Sequence, residues 1–155
     1  MTRKYDNGRV KSPASERGDM SEGITIGNRV EVSPATAGLF AGDVVAILAF
    51  IVAGVLQHAE PLTAANVADA AVPFIIGWLL AGAFFGMFAT AMLRSVRETA
   101  IRTGVAWVVA DLVGQGLRAT PVFGGGFDPA FFVVSLIVGG VLLIGWRVVY
   151  VRFLK

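Results

Sequence analysis

Cysteine is absent from the 155-residue chain, and His58 is its one histidine. Without thiols there is no disulfide, no thiolate nucleophile and no cysteine-ligated metal. A single histidine does not build a multi-histidine zinc site or a bis-histidine haem. No metal and no cofactor is therefore expected. Charge is also scarce: Asp, Glu, Lys and Arg make up 15% of the chain, where a soluble domain carries about 25%. The place of the missing charge is taken by apolar residues, 55% of the total, with a mean hydropathy of +0.72. That excess is too large for a water-soluble core, and its clustering into long runs makes the chain an integral membrane protein.

The apolar runs begin late. Met1 to Ser33 is polar, mixed in charge and without an apolar period, the signature of a largely disordered tail. Residues 1–35 are accordingly read as a polar tail. No apolar h-region follows the early basic residues, so this is not a signal peptide, and Met20 offers a second start. The membrane domain, 36–155, contains four spans at about 37–57, 72–93, 100–117 and 130–151, each near the ~20 residues that the hydrocarbon core requires. The expected fold class is all-α, a four-helix transmembrane bundle. Pro73 falls in the first turn of the second span, where its missing N–H costs nothing. The third span is the weakest, since it includes Arg102, Asp111 and Gln115. Its polar residues do not scatter, however. Asp111, Gln115 and Arg118 stand at i, i+4 and i+7 on one helix face, as they would with that face turned away from lipid.

Lys and Arg set the orientation. Six lie in the tail, Arg94, Arg97 and Arg102 around the second turn, and Arg147, Arg152 and Lys155 at the C-terminal end. Only Arg118 of the 13 falls on the other side. The positive-inside rule then places both termini in the cytoplasm, with Trp146 and Tyr150 as belt residues at the inner interface.

Few polar residues remain to carry chemistry. Asp43, two turns into the first span, and Arg147, one turn into the fourth, share a depth and are natural partners. They read as a structural pin or as a cytoplasmic-side protonatable or anion site. Asp111 lies near the midplane, with Gln115, Arg118 and His58 continuing outward. Such a carboxyl is either part of an ordering network or a proton- or ion-coupling group. Asp43 and Asp111 differ in depth, and Phe40 stands where an intramembrane aspartyl protease needs Gly. No Lys lies within a span for a Schiff base, and Gly124 to Gly126 lacks the Lys-Ser/Thr of a phosphate loop. Gly82 and Gly86 match GxxxG, a pattern for close helix packing.

AGD at Asp43, LQH at His58, PFIIGW from Pro73, ADLVGQGLR from Ala110 and GWR at Arg147 form a set with a precedent. Over about Ala37 to Val149 the chain resembles a family of small four-span membrane proteins called domain of unknown function 3054. The resemblance implies four spans and no assigned activity, and it offers no catalytic role to carry over.

Two functional readings stay open. The first is a structural or accessory membrane subunit, held by lipid, by self-association or by a membrane protein partner. The second is a small oligomeric proton- or ion-coupled transporter or channel built on Asp111 and the Gln115/Arg118 face. No nucleophile–base pair is visible, so no enzyme is expected, and no nucleic-acid partner.

Overall fold

The structure, a computed structural model, describes residues 24–26, 29–58, 61–89 and 95–154. Four helices follow a two-stranded hairpin: α1 (Pro34–Gln57), α2 (Ala64–Phe84), α3 (Val96–Arg118) and α4 (Pro129–Phe153). Each starts on a local signal. Ser33 and Thr36 form a reciprocal capping box ahead of Pro34, which satisfies two of the orphan donors of the first turn. Thr63 and Ser95 accept from Asn66 N and Glu98 N. Asp128 accepts from Ala130 N at 2.8 Å just before Pro129. Asp, Ser and Thr work here because a short side-chain oxygen reaches the free amides without helical backbone of its own.

α1, α2 and α4 are long and apolar enough to cross a membrane. α3, with 23 residues, has the length but not that apolarity. The chain is thus a multi-span helical membrane protein. Consecutive helices alternate in direction, giving one end marked by His58 and another by Tyr150.

Four expectations change. The stretch read as disordered tail is structured at its end: β1 (Ile24–Ile26) pairs antiparallel with β2 (Val30–Val32), and Val30 bridges to Phe88. The rest of the tail, with Met20, lies outside the described residues. α2 begins at Ala64, eight residues before the expected start, because the Thr63 cap recruits the polar turn through Asn66 and Asp69. Pro73 consequently sits inside the helix.

The same helix also stops early. Gly86, at φ 69°, lies past its end, so Gly82 and Gly86 do not share a helix face. They form a C-cap instead: Met87 N donates to Gly82 O at 2.7 Å and Gly86 N to Ala83 O at 3.3 Å. This two-bond closure demands a left-handed residue, which only glycine adopts cheaply. The chain then folds back, and the Phe88 ring packs over Gly82. Finally, Trp146 and Tyr150 do not merely face the interface. Trp146 Nε1 donates to Leu39 O at 3.1 Å and Tyr150 Oη to Ala35 O at 3.0 Å, tying α4 to α1.

Helix packing is closest between α2 and α3, where Gly77 lies directly against the Ala110 carbonyl. Any Cβ there would strike backbone. Through the centre runs an aromatic column, Phe131–Phe74–Trp107–Trp78–Phe88–Phe40, with centroid steps of 5.9, 6.3, 6.2, 6.5 and 5.7 Å. These separations suit edge and tilted ring contacts. The column fills the core from the His58 end to the Tyr150 end.

Candidate functional site

Trp78 lies in the column because α2 turns its Phe74/Gly77/Trp78/Ala81 face inward, all four buried. A buried indole N–H needs an acceptor, and it finds Asp43 Oδ2 at 3.1 Å. Asp43 is in turn gripped by Arg147 from α4. Nε donates to Oδ1 at 2.9 Å and Nη2 to Oδ2 at 2.6 Å, a two-pronged fork that matches guanidinium to carboxylate. Nη1 donates to the Met87 carbonyl at 3.0 Å, and the guanidinium carbon stands 5.1 Å from the Trp78 ring centroid. Both charged side chains are fully buried.

The Met87 carbonyl is available because the fold-back after Gly86 leaves it without a helical partner. Non-helical backbone at membrane depth is tolerated only where protein covers it. Here Met87, Phe88 and Ala89 are buried, and β2 covers them through Glu31 N donating to Phe88 O at 3.1 Å. Phe85–Ala89 with β2 therefore forms a cover on the Tyr150 side of Asp43 and Arg147.

Asp111 has the opposite surroundings. It is fully buried, yet neither carboxyl oxygen has a hydrogen-bond partner among the described residues. Ser135 is the polar group beside it. Its hydroxyl donates instead to Phe132 O at 3.0 Å and accepts from Gln115 Nε2 at 3.1 Å. Ser135 also opens a π-helical turn, Ser135–Gly139. The Ser135 and Leu136 carbonyls both accept from Trp107 Nε1, each at 3.2 Å. Turns of this kind are rare and concentrate at functional sites.

His58 and Arg118 meet at a third place. With Asp128 they line a cavity of about 240 Å³ at the His58 end, walled by Ile51, Val55 and Ala70. Phe50 and Phe131 line it as well, and both rings pack on Phe74. Arg118 is held 4.6 Å above the Phe131 centroid, a cation–π contact. Asp111 does not line this cavity.

The expected residues thus divide into three groups rather than two. Asp43 and Arg147 meet each other, Asp111 and Gln115 gather around Ser135, and Arg118 and His58 share the cavity. Sequence reasoning missed Trp78, the Met87 carbonyl and Ser135. The first carried a signal, since an indole N–H within an apolar span implies a polar partner nearby. Ser135, the one serine or threonine of the fourth span, carried another. The Met87 carbonyl had none, because its freedom comes from a fold-back.

The family model described as protein of unknown function (DUF3054) matches residues 40–150. That match includes Asp43, Asp111, Arg118 and Arg147. No curated protein and no solved structure matches the chain.

Proposed function

The chain belongs to the DUF3054 family, and from that premise we propose that it is a small oligomeric channel or transporter that moves protons, with Asp111 taking up and releasing them. The contrast between its two buried carboxyls carries this reading. Asp43 accepts from Arg147 and Trp78, as a carboxylate kept for structure should. Asp111 accepts from nothing among the described residues. A buried polar group without a partner costs about 1–3 kcal/mol, more when charged, and calls for a role beyond packing. An accessory subunit asks nothing of Asp111 and leaves that cost unexplained.

Access supports the same reading. The cavity at the His58 end leads down toward Phe50, Phe74 and Phe131, and the Phe85–Ala89 cover closes the other end. Arg118 and Asp111 lie two turns apart on α3, about 10 Å along its axis. In this reading α3 also crosses the bilayer, as the third of four spans, with its polar row facing the bundle. Both termini are cytoplasmic, so the cavity opens outward. Each protomer of the oligomer then carries its own path along the bundle-facing row of α3. No catalysis is assigned.

The test is proton flux in proteoliposomes containing the full chain, followed with a trapped pH dye under an imposed gradient and potassium–valinomycin charge compensation. The wild type should acidify the lumen faster than empty vesicles. Asp111→Asn, nearly isosteric, should abolish the difference while Asp69→Asn, at an exposed carboxyl of α2 outside the cavity, retains it. Wild-type vesicles no faster than empty ones, or an undiminished Asp111→Asn, would refute the assignment.

A further inference from the structure

We infer that the proton path continues past Asp111 along α3, through the hydroxyls of Thr103 and Thr99, so that this one helix carries the relay along most of its length. The inference rests on the proposed role of Asp111 and adds the half of the path that role leaves open.

Its basis is where the unpartnered atoms fall. Among the described residues, the buried side-chain oxygens without a hydrogen bond are Thr99 Oγ1, Thr103 Oγ1, both oxygens of Asp111 and Gln115 Oε1. Every one belongs to α3. They follow a single row at four-residue intervals, Thr99, Thr103, Trp107, Asp111 and Gln115, and each of these residues is at most 2% exposed. Elsewhere the buried polar side chains are bonded: Thr36, Asp43, Ser135 and Arg147 all have partners. Side chains four apart are neighbours along a helix ridge. The row from Thr99 to Gln115 rises about 24 Å, most of the ~30 Å hydrocarbon core.

Threonine in a helix ordinarily returns its hydroxyl to a carbonyl one turn back. These two do not, which leaves each hydroxyl able to accept a proton on one side and donate one from the other. That is the property a relay needs, with no net bond made or broken. An alkali cation would instead need several oxygens converging on one point, and single hydroxyls spaced by a helical turn do not converge. The charged side chains toward this end of the bundle include two ion pairs, Asp43–Arg147 and the more exposed Glu98–Arg102 at 2.9 Å. Trp107 interrupts the row. Its N–H is committed to Ser135 and Leu136, and it takes the position in the row between Thr103 and Asp111, which are about 12 Å apart along the axis. Water must bridge that interval, which makes Trp107 the barrier between the halves.

Thr103→Val and Thr99→Val keep the side-chain shape and delete the hydroxyl, and the matching Ser variants retain it. In the proteoliposome assay each Val variant should slow flux about tenfold, the equivalent of one lost hydrogen bond. Each Ser variant should stay near wild type. Removing an unbonded buried hydroxyl leaves stability unchanged or raised, so an unaltered melting temperature separates loss of relay from misfolding. The native chain lacks cysteine, which permits a second measurement. A thiol at Thr103→Cys should react with a small water-soluble reagent faster than one at the exposed Val105. Val variants that conduct like wild type while Asp111→Asn does not would overturn the hydroxyl relay and leave the Asp111 role standing. A Thr103→Cys thiol no more reactive than the Val105 control would overturn it as well. Undiminished flux in Asp111→Asn would remove both proposals together.

Discussion

Arg147→Met tests whether the Asp43–Arg147 contact pins α1 to α4. The substitution keeps most of the aliphatic stem but deletes three donors: two to Asp43 and one to the Met87 carbonyl. Asp43 is left fully buried with the Trp78 N–H as its partner. Breaking a buried pair by removing one member costs about 3–5 kcal/mol, since the survivor is an uncompensated charge. The orphaned Met87 carbonyl adds about 1–3 kcal/mol at most. Hydrogen bonds measured within membranes fall toward the low end, because the unfolded chain in lipid also finds partners. We therefore expect about 3–5 kcal/mol for Arg147→Met, and a similar loss for Asp43→Leu, which strands the guanidinium.

The double variant Asp43→Leu/Arg147→Met removes both charges and leaves two neutral orphans, the Trp78 N–H and the Met87 carbonyl. Each single variant already leaves one of these orphans beside an unpaired charge; the double variant exchanges that charge for the other neutral orphan, at about 1–3 kcal/mol, and should be no less stable than either. The assay is unfolding in mixed micelles with increasing denaturing detergent, followed by tryptophan fluorescence. Trp78, one of three tryptophans, packs against the guanidinium and contributes to that signal. The reasoning is refuted if the double variant loses the sum of the two single losses to within about 0.5 kcal/mol, the mark of independent sites. It is equally refuted if Arg147→Met alone has no measurable effect.

Three further substitutions, all at glycines, probe the backbone. Gly86→Ala puts a Cβ on a residue at φ 69° and should cost about 1–2 kcal/mol, read as a lower melting temperature together with faster amide exchange at Met87. Gly77→Val drives a branched side chain into the Ala110 carbonyl and should cost at least the ~1–3 kcal/mol of overpacking. Gly116→Ala on α3 meets nothing within 4 Å and should stabilise by about 0.5–1 kcal/mol; melting of the purified protein in detergent separates the pair.

Much of the secondary structure is legible one residue at a time. Ser33, Thr63, Ser95 and Asp128 cap the four helices through contacts two or three residues away, so the signal and its effect share the same stretch of chain. The end of α2 was equally local, but Gly82 and Gly86 fit two patterns. A GxxxG face and a glycine C-cap look alike until the backbone at Gly86 is known. The start of α2 was misplaced because hydropathy marks where a span is apolar, not where its helix begins.

The polar residues divide along the same line. That Asp43, Asp111, Gln115 and Arg147 must be buried follows from sequence, because each lies inside or at the edge of an apolar run and lipid does not solvate it. Thr99 and Thr103 were legible by spacing, standing twelve and eight residues before Asp111, but hydroxyls are common in helices and say little until their bonds are known. Which polar groups meet is a different matter. Asp43 and Arg147 are 104 residues apart, and Met87 reaches Arg147 only because the chain folds back under β2. Composition and periodicity therefore determined the bilayer and the helices, since both depend on solvent transfer and bonds within a few residues. Tertiary packing alone decided that one buried aspartate is ligated and the other is not, because a hydrogen bond depends on tenths of an ångström between elements that the sequence does not align.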